Sequence, residues 1–464
     1  MDAADLDYRT RTYAACIPPH LVSRLVELGH TDEVAFQAGQ GEWFCAREQA
    51  RLLTEQGRRA EALAVLAPYV ATGWWKAVEA VAGMLEEWGR GDEAIVLARP
   101  HAEAGERSAL GFVARLLARH GRADEAFTLL RPHVADAWLA GVLVDVAEAA
   151  GRDEDAAALL TARIDAPRSC DDRSCGRRRI EPFNAVGLLA AIRERQGRVE
   201  EAIALLHTRE TTSVNGRDQL ADLLARHDRI EELRAYAAVE SLGTAAQCLA
   251  EVLEECGDVE GAIAVYRQPG RSGFGRNHGA VRLVELLVRH GRGEEATEVL
   301  RSLADAPGGE EDWIVDMLCT HYADQNRPED GLAYLDALKE RDGEEGWEFF
   351  RIRLPLLIAC GRREEAIDLA MAHPERDTWA IAELLADAGR IEEAIALLEP
   401  DADVVGSVLA WHLIDLGRVK DAVAILQRPE PIPTKPPQVD DPTDEPRSET
   451  VSQQSAGRPA HENG

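Results

Sequence analysis

The segment GRVEEAIALL, Gly197 to Leu206, decides how this chain is read, because it does not occur only once. It returns as GRRAEALAVL from Gly57, GRGDEAIVLA from Gly89, GRADEAFTLL from Gly121 and GRDEDAAALL from Gly151. Further on come GDVEGAIAVY from Gly257, GRGEEATEVL from Gly291, GRREEAIDLA from Gly361, GRIEEAIALL from Gly389 and GRVKDAVAIL from Gly417. GHTDEVAFQA from Gly29, DRIEELRAYA from Asp228 and NRPEDGLAYL from Asn326 are weaker copies. Thirteen copies fill residues 29 to 426, mostly 28 to 35 apart, and a period of that length marks a repeat architecture.

Each copy has a physical reading. An amphipathic stretch such as QLADLLARH, Gln219 to His227, precedes the turn and reads as a first helix, A. Glycine at the turn supplies the left-handed conformation that closes a helix. The two copies without it carry Asp228 and Asn326, the other residue types that tolerate that conformation. Acidic residues follow, where the positive end of a second helix dipole favours them, and helix B then runs to a frequent proline (Pro68, Pro100, Pro132, Pro269, Pro400, Pro429). Five residues after the turn, ten of the thirteen copies have alanine, among them Ala62, Ala202 and Ala394. A small residue there lets helices A and B approach closely.

The pattern resembles the tetratricopeptide repeat. The small residue, Leu and turn Gly of helix A, then Ala and a large apolar residue of helix B, match Ala382, Leu385, Gly389, Ala394 and Leu398. The resemblance covers nearly all of the chain outside its tail. It departs from the family in repeat length, in the scarcity of the Trp and Tyr signature of helix A, and in the Arg after the turn. It implies an all-α, right-handed α-solenoid of about 13 antiparallel helix-turn-helix units, with a groove that binds protein or peptide and no reaction of its own. The Lys and Asn set with which that family clamps a peptide carboxylate is not matched.

The expected organisation is a segment 1–17, a repeat array 18–428 with an inter-repeat insertion at 164–181, and a disordered Pro-rich acidic tail 429–464. Only four of the 52 basic residues are lysine, a bias read as the mark of a GC-rich bacterial genome. A net charge of −31 repels nucleic acid and anionic membrane and favours a basic partner. The N-terminus has no signal-peptide core and no run approaches membrane-span length, so a cytoplasmic location is expected.

No residue set converges as catalysis or metal binding would require, and no cofactor is expected. His120, His227 and His290 precede the turn residue, and acidic pairs such as Glu200 and Glu201 open helix B, so the repeat itself places both. Trp43, Trp75, Phe183 and Trp347 lie fourteen residues before a turn glycine, and Trp138 and Trp313 thirteen before the turn residue. They read as packing staples between units or as an aromatic ladder along the groove. Two basic stretches break the acidic field: SCDDRSCGRRR, with Arg173, Arg177, Arg178 and Arg179, and RQPGRSGFGRNHGAVR, with Arg271, Arg276 and His278. Both read as inter-repeat loops that could dock an acidic segment. Cys170 and Cys175 supply only half of a zinc ligand set. The leading function is therefore a protein-interaction scaffold using these arginines, His278 and Trp75, Trp138, Trp313 and Trp347. The alternatives are an RNA-binding helical repeat, or an enzyme or phospho-ligand binder using the loop 267–282.

Overall fold

The computed structural model describes residues 2–165, 182–209, 213–214, 217–240, 243–268, 275–306, 311–342, 346–373 and 377–428. Helix α1 (Ala3–Thr12) precedes thirteen helical hairpins, one for each copy of the repeat. Units 1 to 4 are α2 (Pro19–Glu27) with α3 (Thr31–Gly39), α4 (Trp43–Glu55) with α5 (Arg59–Val70), α6 (Trp75–Glu87) with α7 (Gly91–Glu103), and α8 (Arg107–Arg119) with α9 (Ala123–Leu130). Units 5 to 8 are α10 (Ala137–Ala150) with α11 (Asp153–Ile164), α12 (Pro182–Arg195) with α13 (Val199–His207), α14 (Gln219–Arg226) with α15 (Ile230–Ala237), and α16 (Thr244–Glu255) with α17 (Val259–Arg267). Units 9 and 10 are α18 (Gly275–Arg289) with α19 (Gly293–Ala304), and α20 (Asp312–Asp324) with α21 (Pro328–Asp342). The last three are α22 (Trp347–Ala359) with α23 (Arg363–Ala372), α24 (Thr378–Asp387) with α25 (Ile391–Leu398), and α26 (Ala402–Asp415) with α27 (Val419–Leu426). The extended residues among those described are a two-stranded bridge, β1 (Ser213–Val214) with β2 (Arg217–Asp218).

Local chemistry accounts for each hairpin. The turn glycines hold positive φ, and Asp228 and Asn326 do so at 55° and 57°. The ten alanines five residues past the turn are all fully buried, which is the close approach of helices A and B. Pro269 and Pro429 lie outside the described residues, and the other four prolines act differently from the sequence expectation. Pro68 and Pro100 lie inside α5 and α7, and Pro132 and Pro400 lie in 3-10 turns that continue helix B. A proline near a helix end costs one internal hydrogen bond, which leaves room for the last turn to form beyond it.

Helix B of each unit packs on helix A of the next, and at most junctions successive A helices also touch, whereas successive B helices make no comparable contact. The A helices therefore form the inner wall and the B helices the outer. Curvature carried through thirteen units brings the ends together. Helix α2 packs against α26 in the way successive A helices do elsewhere. Leu21, Val22 and Leu25 share one hydrophobic core with Leu409, Ala410 and Leu413. A second core runs from Ala190 to Tyr322, so the interior divides in the middle of the chain and is continuous across its ends. The solenoid is a closed ring. With neighbouring helix axes about 8–10 Å apart, thirteen A helices enclose an opening roughly 25–30 Å across.

Candidate interaction surface

The turn edge of the ring is an arginine–carboxylate ladder. Eleven copies carry Arg directly after the turn residue, and each of these pairs with the acidic residue three positions on, as Arg292 does with Glu295 at 2.6 Å. Seven also reach back to the acidic residue three positions past the turn of the preceding unit. Arg229 meets Glu200 and Arg292 meets Glu260 at 2.6 Å, and Arg390 meets Glu364 at 2.9 Å. Arg122, Arg152, Arg198 and Arg327 repeat the arrangement at 3.2 to 3.9 Å. The acidic pair thus has two separate duties besides favouring the helix dipole: one carboxylate orients its own arginine and the other receives the neighbour's.

A second ladder explains the Arg-His pair before the turn. Arg119 and His120 converge on Glu86, Arg226 and His227 on Glu194, and Arg289 and His290 on Glu254, each a glutamate of the preceding helix A. Arg289 lies 2.7 Å from Glu254 and holds its carboxyl below the usual range, as Arg119 holds that of Glu86. The three histidines stay one per junction and do not gather into a reactive cluster.

The ring closes through a polar seam around an apolar strip. Arg24 of α2 lies 2.7 Å from Asp415 of α26 and places its guanidinium 5.2 Å above the ring of Trp411, which also stacks on His20. Gln427, just past α27, donates to Gln37 of α3 at 2.9 Å. On the turn edge, Gly29, His30, Asp32 and Glu33 line a shared hollow with Gly417, Arg418, Lys420 and Asp421. Eleven of the thirteen copies have an acid three residues past the turn; the last copy has Lys420 instead, facing a first copy that has His30 in place of Arg. The ladder's charges are altered at the junction that differs from the rest.

The predicted aromatic residues divide. Trp43 and Trp75 are buried in the wall, Trp75 against His101 and Phe112, and Trp347 is half-buried against Phe350 and His373. Trp138 and Trp313 are 37 % exposed, and Trp379, a position the sequence reading passed over, is 52 % exposed. Trp138 lies over Gly111 and lines a hollow of about 210 Å³ with Glu79, Ser108, Phe112 and Arg115. Its ring is covered by two arginines of its own chain, Arg107 at 5.0 Å and Arg115 at 5.1 Å. Trp313 donates its indole N–H to Glu311 at 2.6 Å, and no cation among the described residues covers its ring.

Arg173, Arg177, Arg178, Arg179 and Arg271, with Cys170, Cys175 and the tail from 429, lie outside the described residues. Arg276 and His278 fall in the first turn of α18, which extends that helix into the stretch read as a loop. No helix among the described residues is long and apolar enough to cross a membrane.

The class these features define is an all-helical, tetratricopeptide-like solenoid. No protein-family model matches the chain and no curated protein matches its sequence. Among solved structures, Naa15/Naa10 bound to HypK-THB is similar at a TM-score of 0.40 and 14 % identity, over 88 % of this chain and 74 % of that one.

Proposed function

We propose that this protein is a non-catalytic, cytoplasmic scaffold that holds a basic protein or peptide against the inner wall of its ring. The observation that carries this reading is the contrast between the two edges of helix A. The recurring residues are consumed by stacking and by the two ladders. The residues that differ between units, among them Trp138, Asp145, Glu251, Trp313, Asp316 and Trp379, are left solvent-accessible on the A helices. The exposed carboxylates and indoles among these positions suit a partner rich in Arg or Lys, and the overall charge of −31 would steer it there. Function on such a fold is set by those variable positions and not by the repeat.

The test is position-specific cross-linking in the full chain. A photoreactive residue at Thr320 on α20 should label one partner reproducibly, while the same residue at Val96, 71 % exposed on the outer helix α7, should not. Equal labelling from both faces, or none from the inner one, would overturn the reading.

A further inference from the structure

Helix α20 presents Asp312, Trp313, Asp316 and Thr320 as one exposed stripe, while Ile314, Val315, Leu318 and Cys319 are buried beneath it. Trp313 occupies the same place in its unit as Trp138 does in unit 5, thirteen residues before the turn. At Trp138 the preceding helix A supplies Arg115, six residues before its own turn, and that guanidinium lies over the indole. The equivalent residue before Trp313 is Glu285 of α18, a carboxylate where unit 4 has a guanidinium. At this position of the repeat, the indole of unit 5 is already capped by cations, while that of unit 10 is pinned by Glu311 and flanked by acids instead.

The neighbourhood is short of positive charge. Asp316 has its carboxyl pushed up by partial burial and then by Asp312, while Arg351 of α22 acts in the opposite direction and itself lies 3.7 Å from Glu348. Glu285 is engaged by Arg282 of its own helix at 2.9 Å. Asp312 and Asp316 make no ion pair among the described residues. Along the wall on one side, α16 adds Glu251; on the other, α24 adds Trp379 with Glu383 one turn away.

We infer that Trp313, Asp312 and Asp316 form a docking site for an arginine side chain of an extended basic segment, the partner replacing the guanidinium that unit 4 supplies to Trp138. The inference rests on the inner-wall reading above and assigns to it a specific anchor. A planar guanidinium stacks on the exposed indole face while its N–H groups reach the two carboxylates, a combination an ammonium meets less well. Glu311 adds order by fixing the indole before the partner arrives. Trp379 and Glu383, two units on, offer a second indole–carboxylate pair to the same segment.

The probe is a fluorescent twelve-residue peptide of alternating Arg and Gly, with Lys–Gly and Glu–Gly peptides of equal length beside it, titrated into the full chain. The Arg peptide should bind more tightly than the Lys peptide, and the Glu peptide should not bind. Trp313→Ala or Asp316→Asn should weaken the Arg peptide about tenfold, and Trp313→Phe should recover part of that loss. Val96→Ser on the outer face should leave the affinity unchanged. All the substituted residues are solvent-accessible, so thermal melts should match wild type. Equal affinity of the Arg peptide for wild type and Trp313→Ala overturns this anchor while leaving the scaffold reading intact. Failure of the Arg peptide to bind wild type also overturns it, and only loss of the inner-face cross-link at Thr320 would count against the scaffold itself.

Discussion

At the residue scale, the most consequential side chain outside the repeat pattern is Glu42, at the start of α4. It is 3 % exposed and lies 3.4 Å from Arg9 of the leading helix. Burial pushes its carboxyl up to about 7, against an ordinary value of 4.5. The folded protein therefore keeps this proton to a higher pH than the unfolded chain does. Stability from this group is greatest below pH 4.5, falls as pH rises through 7, and is flat above, a loss of roughly 3 kcal/mol in all. Glu42→Gln should thus be more stable than wild type at pH 8 and close to it at pH 5 in urea titrations; the same difference at both pH values would refute this. Ala202, fully buried between α12 and α13, makes a second case: Ala202→Leu should cost roughly 1–3 kcal/mol by overpacking, and an unchanged melting temperature would contradict it. Much at this scale was legible in the sequence. The turn glycines, Asp228 and Asn326, and the small residue of helix B each report a local backbone or steric need. Glu42 was not legible, because nothing in GEWFCA says that its carboxylate is turned inward.

At the scale of elements, hydrophobic periodicity and turn chemistry specify thirteen hairpins, and the described residues form thirteen. The arginine after the turn marks a departure from the tetratricopeptide pattern, and its reason lies in the neighbouring unit. The reach-back contacts span about one repeat in sequence, so a single copy read alone shows a partner for one carboxylate of the acidic pair and none for the other. Such exposed pairs contribute little each, typically 0–1 kcal/mol. Their effect is on the register between units, since an arginine reaching across a junction fixes how far one hairpin slides on the next. Helix packing gives a sharper prediction. A Cβ built on Gly111 of α8 would lie 2.2 Å from the indole of Trp138 on α10, so Gly111→Ala must displace that ring. The emission of Trp138, isolated by difference against Trp138→Phe, should shift to the red despite the better helix propensity of alanine. An unshifted spectrum would mean that the indole does not rest on α8. The prolines of helix B teach the converse lesson: Pro68 and Pro100 read as stops, but a last helical turn tolerates the missing hydrogen bond.

At the scale of the whole molecule, the decisive feature is closure of the ring. A solenoid's curvature is the sum of small rotations at every junction, and no local pattern reveals that after thirteen of them the first unit meets the last. Lys420 and His30 are the trace the sequence carries, intelligible only once the two turns are seen side by side. The inner wall was equally hidden: exposed and buried tryptophans occur at nearly the same repeat position, and whether an indole is covered depends on helices from other units. Across the seam α2 meets α26 directly, with no helix B wedged between them as at ordinary junctions. Breaking its polar contacts should therefore open the ring before it unfolds any unit. Asp415→Arg, which sets two cations against each other at position 24, should raise the radius of gyration in solution scattering with helicity by circular dichroism unchanged. A compact variant would argue that the apolar strip alone holds the seam. The most direct test is covalent. With Gln37→Cys and Gln427→Cys, whose parent side-chain amides meet at 2.9 Å across the junction, a short bis-maleimide should give one intramolecular cross-link joining those two peptides in dilute monomer. An open solenoid would instead leave both thiols free, or link them only between molecules.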